Sequence, residues 1–139
     1  MNESIRVLVA DDDQEFADIL SRRFTRLGSA VACCGNASGC LELFASWPLD
    51  VALIDGKLPG NDGTWLVQQL RALKPDVPLV MLSGNADRSF IAAAYKAGVV
   101  QFLLKPCSLA AVESAVVQTA ERRHEKYDQI GESLAEALT

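Results

Sequence analysis

Short apolar runs alternate with longer amphipathic segments along this chain. IRVLVA at 5–10 is almost continuously apolar and rich in β-formers, as expected of a strand covered on both faces. Residues 14–27 carry Phe16, Ile19, Leu20, Phe24 and Leu27 near a 3.6-residue repeat, with Gly28 where a helix stop belongs. AVACC (30–34) predicts a weaker strand. Asn36 is placed to cap a helix whose apolar face is Cys40, Leu41, Phe44 and Trp47. DVALID (50–55) predicts a third strand, and LPGNDG (58–63) is turn chemistry. Leu66, Leu70 and Leu73 at i, i+4, i+7 predict a helix ended by Pro75 and Pro78, which bracket the entry to a fourth strand, PLVMLS (78–83). ADRSFIAAAYKAG (86–98) predicts a helix closed by Gly98, and VVQFLLK (99–105) a fifth strand. Ser108 then caps a last helix with Leu109, Val112 and Val116 on one face.

The order is a strand followed by a helix, five times over. Strands apolar along their whole length belong in a parallel sheet with helices on each side. Right-handed crossovers make a doubly wound open α/β sheet the simplest topology. In such a sheet ligands bind beyond the carboxyl ends of the strands, at the point where strand order reverses.

Those ends carry the polar residues. The first strand ends in Asp11-Asp12-Asp13, the third in Asp55, the fourth in Ser83 and the fifth in Lys105-Pro106. Any one of them has a bland explanation: an Asp between strand and helix is an N-cap, the role expected of Asp13, and a lone lysine is a solvated charge. Their convergence on one edge has a chemical logic that no single one has. Clustered carboxylates repel, and one stays partly protonated unless a cation intervenes. A hard divalent ion such as Mg²⁺ takes carboxylates, waters and phosphate oxygens. Lys105 and Ser83 supply an ammonium and a hydroxyl suited to phosphoryl oxygens. A carboxylate can also attack a phosphoryl group and hold it as an acyl phosphate. The residues alone do not choose between Asp55 and Asp12 for that step.

Composition narrows the partners. The chain has 139 residues and a net charge of −5, which suits one domain and argues against non-specific nucleic-acid binding. Cys33, Cys34, Cys40 and Cys107 show no C-x-x-C spacing and no histidine cluster, so free thiols in a reducing cytoplasm are expected rather than zinc. The N-terminus lacks a signal-peptide pattern and no apolar run is long enough to span a membrane.

VLVADDD, DVALIDGKLPGNDG, VMLSG and FLLKP, in this order, resemble the receiver domain of two-component response regulators over about residues 5–120. The resemblance implies a flavodoxin-like (βα)₅ fold with strand order 2-1-3-4-5. It also implies phosphorylation on aspartate, with Mg²⁺ or Mn²⁺, by a sensor histidine kinase or histidine phosphotransfer protein. By matching position, Asp55 is the phosphoacceptor. Asp12 is a direct metal ligand and Asp11 one mostly through water, with the backbone carbonyl of Lys57 as a further ligand. Ser83 is the switch hydroxyl, Lys105 the phosphate-contacting lysine before a proline whose peptide bond is often cis, and Phe102 the switch aromatic. Phosphorylation would remodel the face formed by the fourth helix, fifth strand and last helix, which a downstream output domain or effector reads. Gly56 departs from a commoner larger apolar residue and would loosen the backbone there. Lys57 and Asn85 occupy positions that tune phosphoryl lifetime in the family. Cys107 stands where a bulky apolar residue is usual.

Two other readings fit parts of this pattern. A degenerate receiver would serve only as an interaction or dimerisation module. A Mg²⁺-dependent aspartyl-phosphate phosphohydrolase would use a second Asp two residues after the nucleophile, where this chain has Lys57. Receiver-like sequence ends near residue 121, so residues 1–121 are assigned to the domain and 122–139 to a helical extension or linker. Ile130, Leu134 and Leu138 are spaced there for helical packing or a homodimer, and His124 reads as a solvated tail residue rather than a phosphotransfer site.

Overall fold

The structure, a computed structural model, describes residues 4–60 and 63–138, with side chains up to Arg123. Strands β1 (Arg6–Ala10), β2 (Ala30–Cys34), β3 (Val51–Asp55), β4 (Leu79–Ser83) and β5 (Gln101–Leu104) alternate with helices α1 (Gln14–Arg26), α2 (Ala37–Ser46), α3 (Gly63–Leu73), α4 (Arg88–Ala97) and α5 (Leu109–Leu138). All strand pairs are parallel, in the order β2-β1-β3-β4-β5. This is the doubly wound sheet that the alternation implied, in the flavodoxin-like (βα)₅ form that the resemblance implied. The order reverses between β1 and β3, so the polar ends of those two strands lie side by side.

Period-two alternation sorts the apolar side chains into two layers. Leu8, Ala10, Ala52, Ile54, Leu79 and Met81 face α2, α3 and α4. Val7, Val9, Val51, Leu53, Val80 and Leu82 face α1 and α5. β1, β3 and β4 therefore bury both faces, apart from exposed Arg6 at the start of β1. The edge strands β2 and β5 are only partly covered, which matches the weaker apolar signal of AVACC.

Local chemistry closes the helices where expected. Asp13 caps α1 through Phe16 N–H at 3.1 Å, Asn36 caps α2 through Gly39 N–H at 2.7 Å, and the Ser108 hydroxyl accepts from Ala111 N–H at 3.1 Å. Gly28 and Gly98 end α1 and α4 with φ of +86° and +132°, a region that only glycine enters without strain. One expectation fails. Leu66 and Leu70 are fully buried, but Leu73 is 49% exposed and Val67 is buried instead. Leu73 is the last residue of α3, just before the chain turns at Pro75. Asn61 and Asp62 of the expected turn lie outside the described residues, as do the side chains of His124, Ile130, Leu134 and Leu138.

An acid at the opposite end of β3 has a structural task. Buried Asp50 accepts from Arg6 N–H at 2.8 Å and pairs with Arg6 Nε at 3.4 Å and Arg123 Nη1 at 3.6 Å. It ties α5 to the starts of β1 and β3. Asp50→Ala leaves those donors without their carboxylate and is expected to lower unfolding free energy by about 2–3 kcal/mol. Urea midpoints at unchanged m-value measure this; a loss under about 0.5 kcal/mol would contradict the anchoring role.

Candidate functional site

The site grows out of four strand ends. Leaving β1, Asp11 donates its N–H to Cys34 O at 3.0 Å. Its Oδ1 accepts from Asp13 N–H at 2.9 Å, so the turn folds around the Asp11 carboxylate and buries it. Asp12 stays exposed beside it. At the end of β3, Asp55 is buried, and its Oδ1 accepts from Lys57 N–H at 3.1 Å. At the end of β4, the buried Ser83 hydroxyl accepts from Asn85 N–H at 3.1 Å. Past β5, Lys105 N–H donates to Ser83 O at 2.9 Å, and the Lys105–Pro106 bond is cis. The lysine ammonium then reaches Asp55 Oδ2 at 3.5 Å and Asp11 Oδ2 at 3.6 Å.

Asp11, Asp12 and Asp55 bring carboxylate oxygens within 4.8 Å of one another. Three acids thus face one ammonium. The electrostatic cost shows at Asp11, whose pKa rises from the ordinary 3.8 to about 6. Burial is the main cause and the Asp55 charge adds to it, against the Asp13 amide and Lys105. Clustered oxygen donors with unbalanced charge fit a hard divalent cation. The group opens into a cleft of about 930 Å³ walled by Asp12, Asp55, Lys57, Ser83, Phe90 and Lys105.

The structure therefore gathers Asp11, Asp12, Asp55, Ser83 and Lys105, with Lys57 and Asn85 on the rim. Phe102 stands off the cleft. It is half-buried, its ring lies edge-on to Phe90 at 6.0 Å, and its N–H donates to the Tyr95 hydroxyl at 3.0 Å. Phe90 is the link that pattern reading missed, since it touches both the cleft and Phe102. Phe16 was also read as packing alone, yet its ring lies 5.7 Å beneath the Lys105 ammonium, a distance at which the ring quadrupole attracts a cation. Neither residue differs in type from ordinary core, so only three-dimensional placement reveals them. Gly56 corrects the expectation of a loosened backbone: it is buried and closely packed, and a Cβ there would meet Ser83 at 2.9 Å.

A doubly wound sheet with acids, hydroxyl and lysine at its switch point defines a class of phosphoryl-handling α/β domains. The family model for the response regulator receiver domain matches residues 7–117, and the chain belongs to that family. It is 30% identical over 128 residues to the DNA-binding transcriptional regulator NtrC of Escherichia coli K12, covering 89% of this chain and 27% of NtrC. It is 33% identical over 107 residues to the sensory/regulatory protein RpfC of Xanthomonas campestris, covering 74% of this chain and 15% of RpfC. The chain thus spans under a third of either relative. Among solved structures, the receiver domain of the Francisella response regulator 1452 superposes with a TM-score of 0.79 at 28% identity, covering 86% of this chain and 98% of that one. A Burkholderia pseudomallei response regulator with a phosphorylated aspartic acid and a calcium ion superposes at 0.76 and 27%, covering 96% and 86%. Receiver domains are switches acting through their own phosphorylation and dephosphorylation, not enzymes on outside substrates. Among the described residues no helix is long and apolar enough to cross a membrane.

Removing one charge from the cluster tests its electrostatics. The raised pKa means the folded chain holds the Asp11 proton more tightly than the unfolded one, so metal-free stability falls as pH rises from about 4 through 6. Asp11→Asn is expected to flatten that fall, to add about 1–3 kcal/mol at pH 7 without metal, and to weaken Mg²⁺ binding. Unfolding curves across pH and calorimetric Mg²⁺ titration check both. A metal-free variant less stable than the parent at pH 7 would show that the folded chain does not disfavour the Asp11 charge.

Proposed function

We propose that Asp55 accepts a phosphoryl group from a sensor histidine kinase or histidine phosphotransfer protein. The observation that carries this is the position of the Lys105 ammonium, 3.5 Å from Asp55 and 3.6 Å from Asp11, inside a three-carboxylate cluster. A Burkholderia relative bearing phosphoaspartate supports it.

In the proposed step the Asp55 carboxylate attacks phosphorus. The P–N bond to the donor imidazole breaks, its electron pair returns to the ring nitrogen, and an acyl phosphate forms. Lys57 N–H on Oδ1 and Lys105 on Oδ2 orient the carboxylate for attack. Lys105 then transfers its contact to a phosphoryl oxygen, and the Ser83 hydroxyl donates to another. Asp11, Asp12, Asp55 and the Lys57 carbonyl would hold Mg²⁺ or Mn²⁺, which neutralises phosphoryl charge when bound.

The switch follows from Ser83. Phosphorylation adds about two negative charges at neutral pH, and the hydroxyl leaves Asn85 to meet them. Phe90 and Phe102 repack behind it, altering the α4-β5-α5 face that an output domain, effector or second copy reads. Both arrangements pre-exist, and the phosphoryl group shifts their balance. Residues 1–121 are assigned to this unit, in the cytoplasm, and 122–139 to a helical extension or linker.

Acetyl phosphate with Mg²⁺ is expected to add one phosphoryl group to the parent and none to Asp55→Ala, by intact mass. Single-site labelling that persists in Asp55→Ala would overturn the assignment. Ser83→Ala is expected to accept phosphate yet to show a weaker NMR shift change at Phe102; a parental response there would remove Ser83 from the switch.

A further inference from the structure

Gly56 follows the proposed acceptor directly, and its surroundings are tight on two sides. An added Cβ would lie 2.9 Å from both Ser83 Cβ and Ser83 Oγ, and 3.3 Å from Met81 Sδ. Its carbonyl lies against the start of α3, where a Cβ on Gly63 would come within 2.7 Å of it. The backbones on either side are held. Gly56 N–H donates to Leu82 O at 3.0 Å, Ser83 pairs in register with Leu104, and Ser83 O accepts from Lys105 N–H. The flexible Met81 thioether can yield, whereas the loop and the strand are restrained by these hydrogen bonds and part only slightly.

We propose that Gly56 is a positioning residue for phosphoryl transfer: its missing side chain is the space that keeps the Ser83 hydroxyl beside Asp55. This rests on the reading of Asp55 as acceptor and Ser83 as hydroxyl donor. A methyl group at 56 pushes Ser83 off Asn85 N–H and parts the ends of β3 and β4 by a few tenths of an ångström. Rotation about χ1 does not relieve the contact, because Ser83 Cβ is as close as Oγ. The hydroxyl then stands away from the phosphoryl oxygens. Asp11 and Asp12, in the turn after β1, are not in contact with this position. Residue 56 and residue 83 thus act as one matched pair, small opposite hydroxyl.

The test is a double-mutant cycle on the initial rate of labelling by acetyl phosphate at saturating Mg²⁺, read by intact mass. Gly56→Ala and Ser83→Gly are each expected to slow labelling, by about tenfold to a hundredfold for a lost hydroxyl donor. The double variant is expected to label at the Ser83→Gly rate, since the added methyl group then meets no side chain at 83. The far-UV circular dichroism and urea m-value of Gly56→Ala are expected to match the parent, which a general loss of structure would not allow. A double variant slowed by the product of the two single effects, or a Gly56→Ala variant labelled at the parental rate, overturns the proposal. If Gly56→Ala does not fold, Ser83→Gly is expected to restore its thermal midpoint, and failure to do so also overturns it. An unlabelled parent would bring down the phosphoacceptor reading itself, and this inference with it.

Discussion

Like-charge repulsion at the ends of β1 and β3 is the constraint around which this edge of the molecule is organised. Asp11 and Asp55 are buried within reach of each other and of Asp12. Burial, with the Asp55 charge adding to it, raises the Asp11 pKa and so favours its protonated form. The fold answers with one fixed ammonium, Lys105, aimed between two of the acids. It leaves room for a cation to supply the rest. A site that is electrostatically incomplete is suited to a ligand that brings positive charge and to a modification that brings negative charge.

Backbone topology delivers those charges. Strand order reverses between β1 and β3, so neither strand end is screened by a crossover helix. The Asp11 carboxylate is wrapped by the Asp13 amide, the Asp55 carboxylate by the Lys57 amide, and the Ser83 hydroxyl by the Asn85 amide. In each case a polar side chain accepts from the backbone two residues on, which fixes its direction at the start of a turn. The residue that looks redundant in the DDD run, Asp13, spends its charge capping α1.

Much of this was legible in the sequence because the relevant signals are local or periodic. Continuous apolar runs announced the buried strands, and Asp13, Asn36 and Ser108 announced the helix starts. The acids, Ser83 and Lys105 were legible because a parallel sheet collects strand ends on one edge. What was not legible depends on distance between segments remote in the chain. Leu73 carries the right spacing for a buried face, but periodicity does not report how far along the helix the covered surface runs. Phe16 reads as packing until Lys105 is seen above it, and Phe90 carries no signal until Phe102 is seen against it. Gly56 read as loosened backbone, whereas its meaning lies in the Ser83 side chain 27 positions on.

The central claim is that one cation-binding cluster presents Asp55 for phosphorylation with Lys105 and Ser83 on the incoming group. A crystal structure grown with Mg²⁺ and beryllofluoride tests it most directly. The expected density is a beryllofluoride adduct on an Asp55 oxygen, a single metal ion in contact with Asp12 and Asp55, and Lys105 and Ser83 turned onto the fluorines. An adduct on another residue, or an unmodified Asp55 still paired with Lys105 and no ion among the acids, would contradict the account.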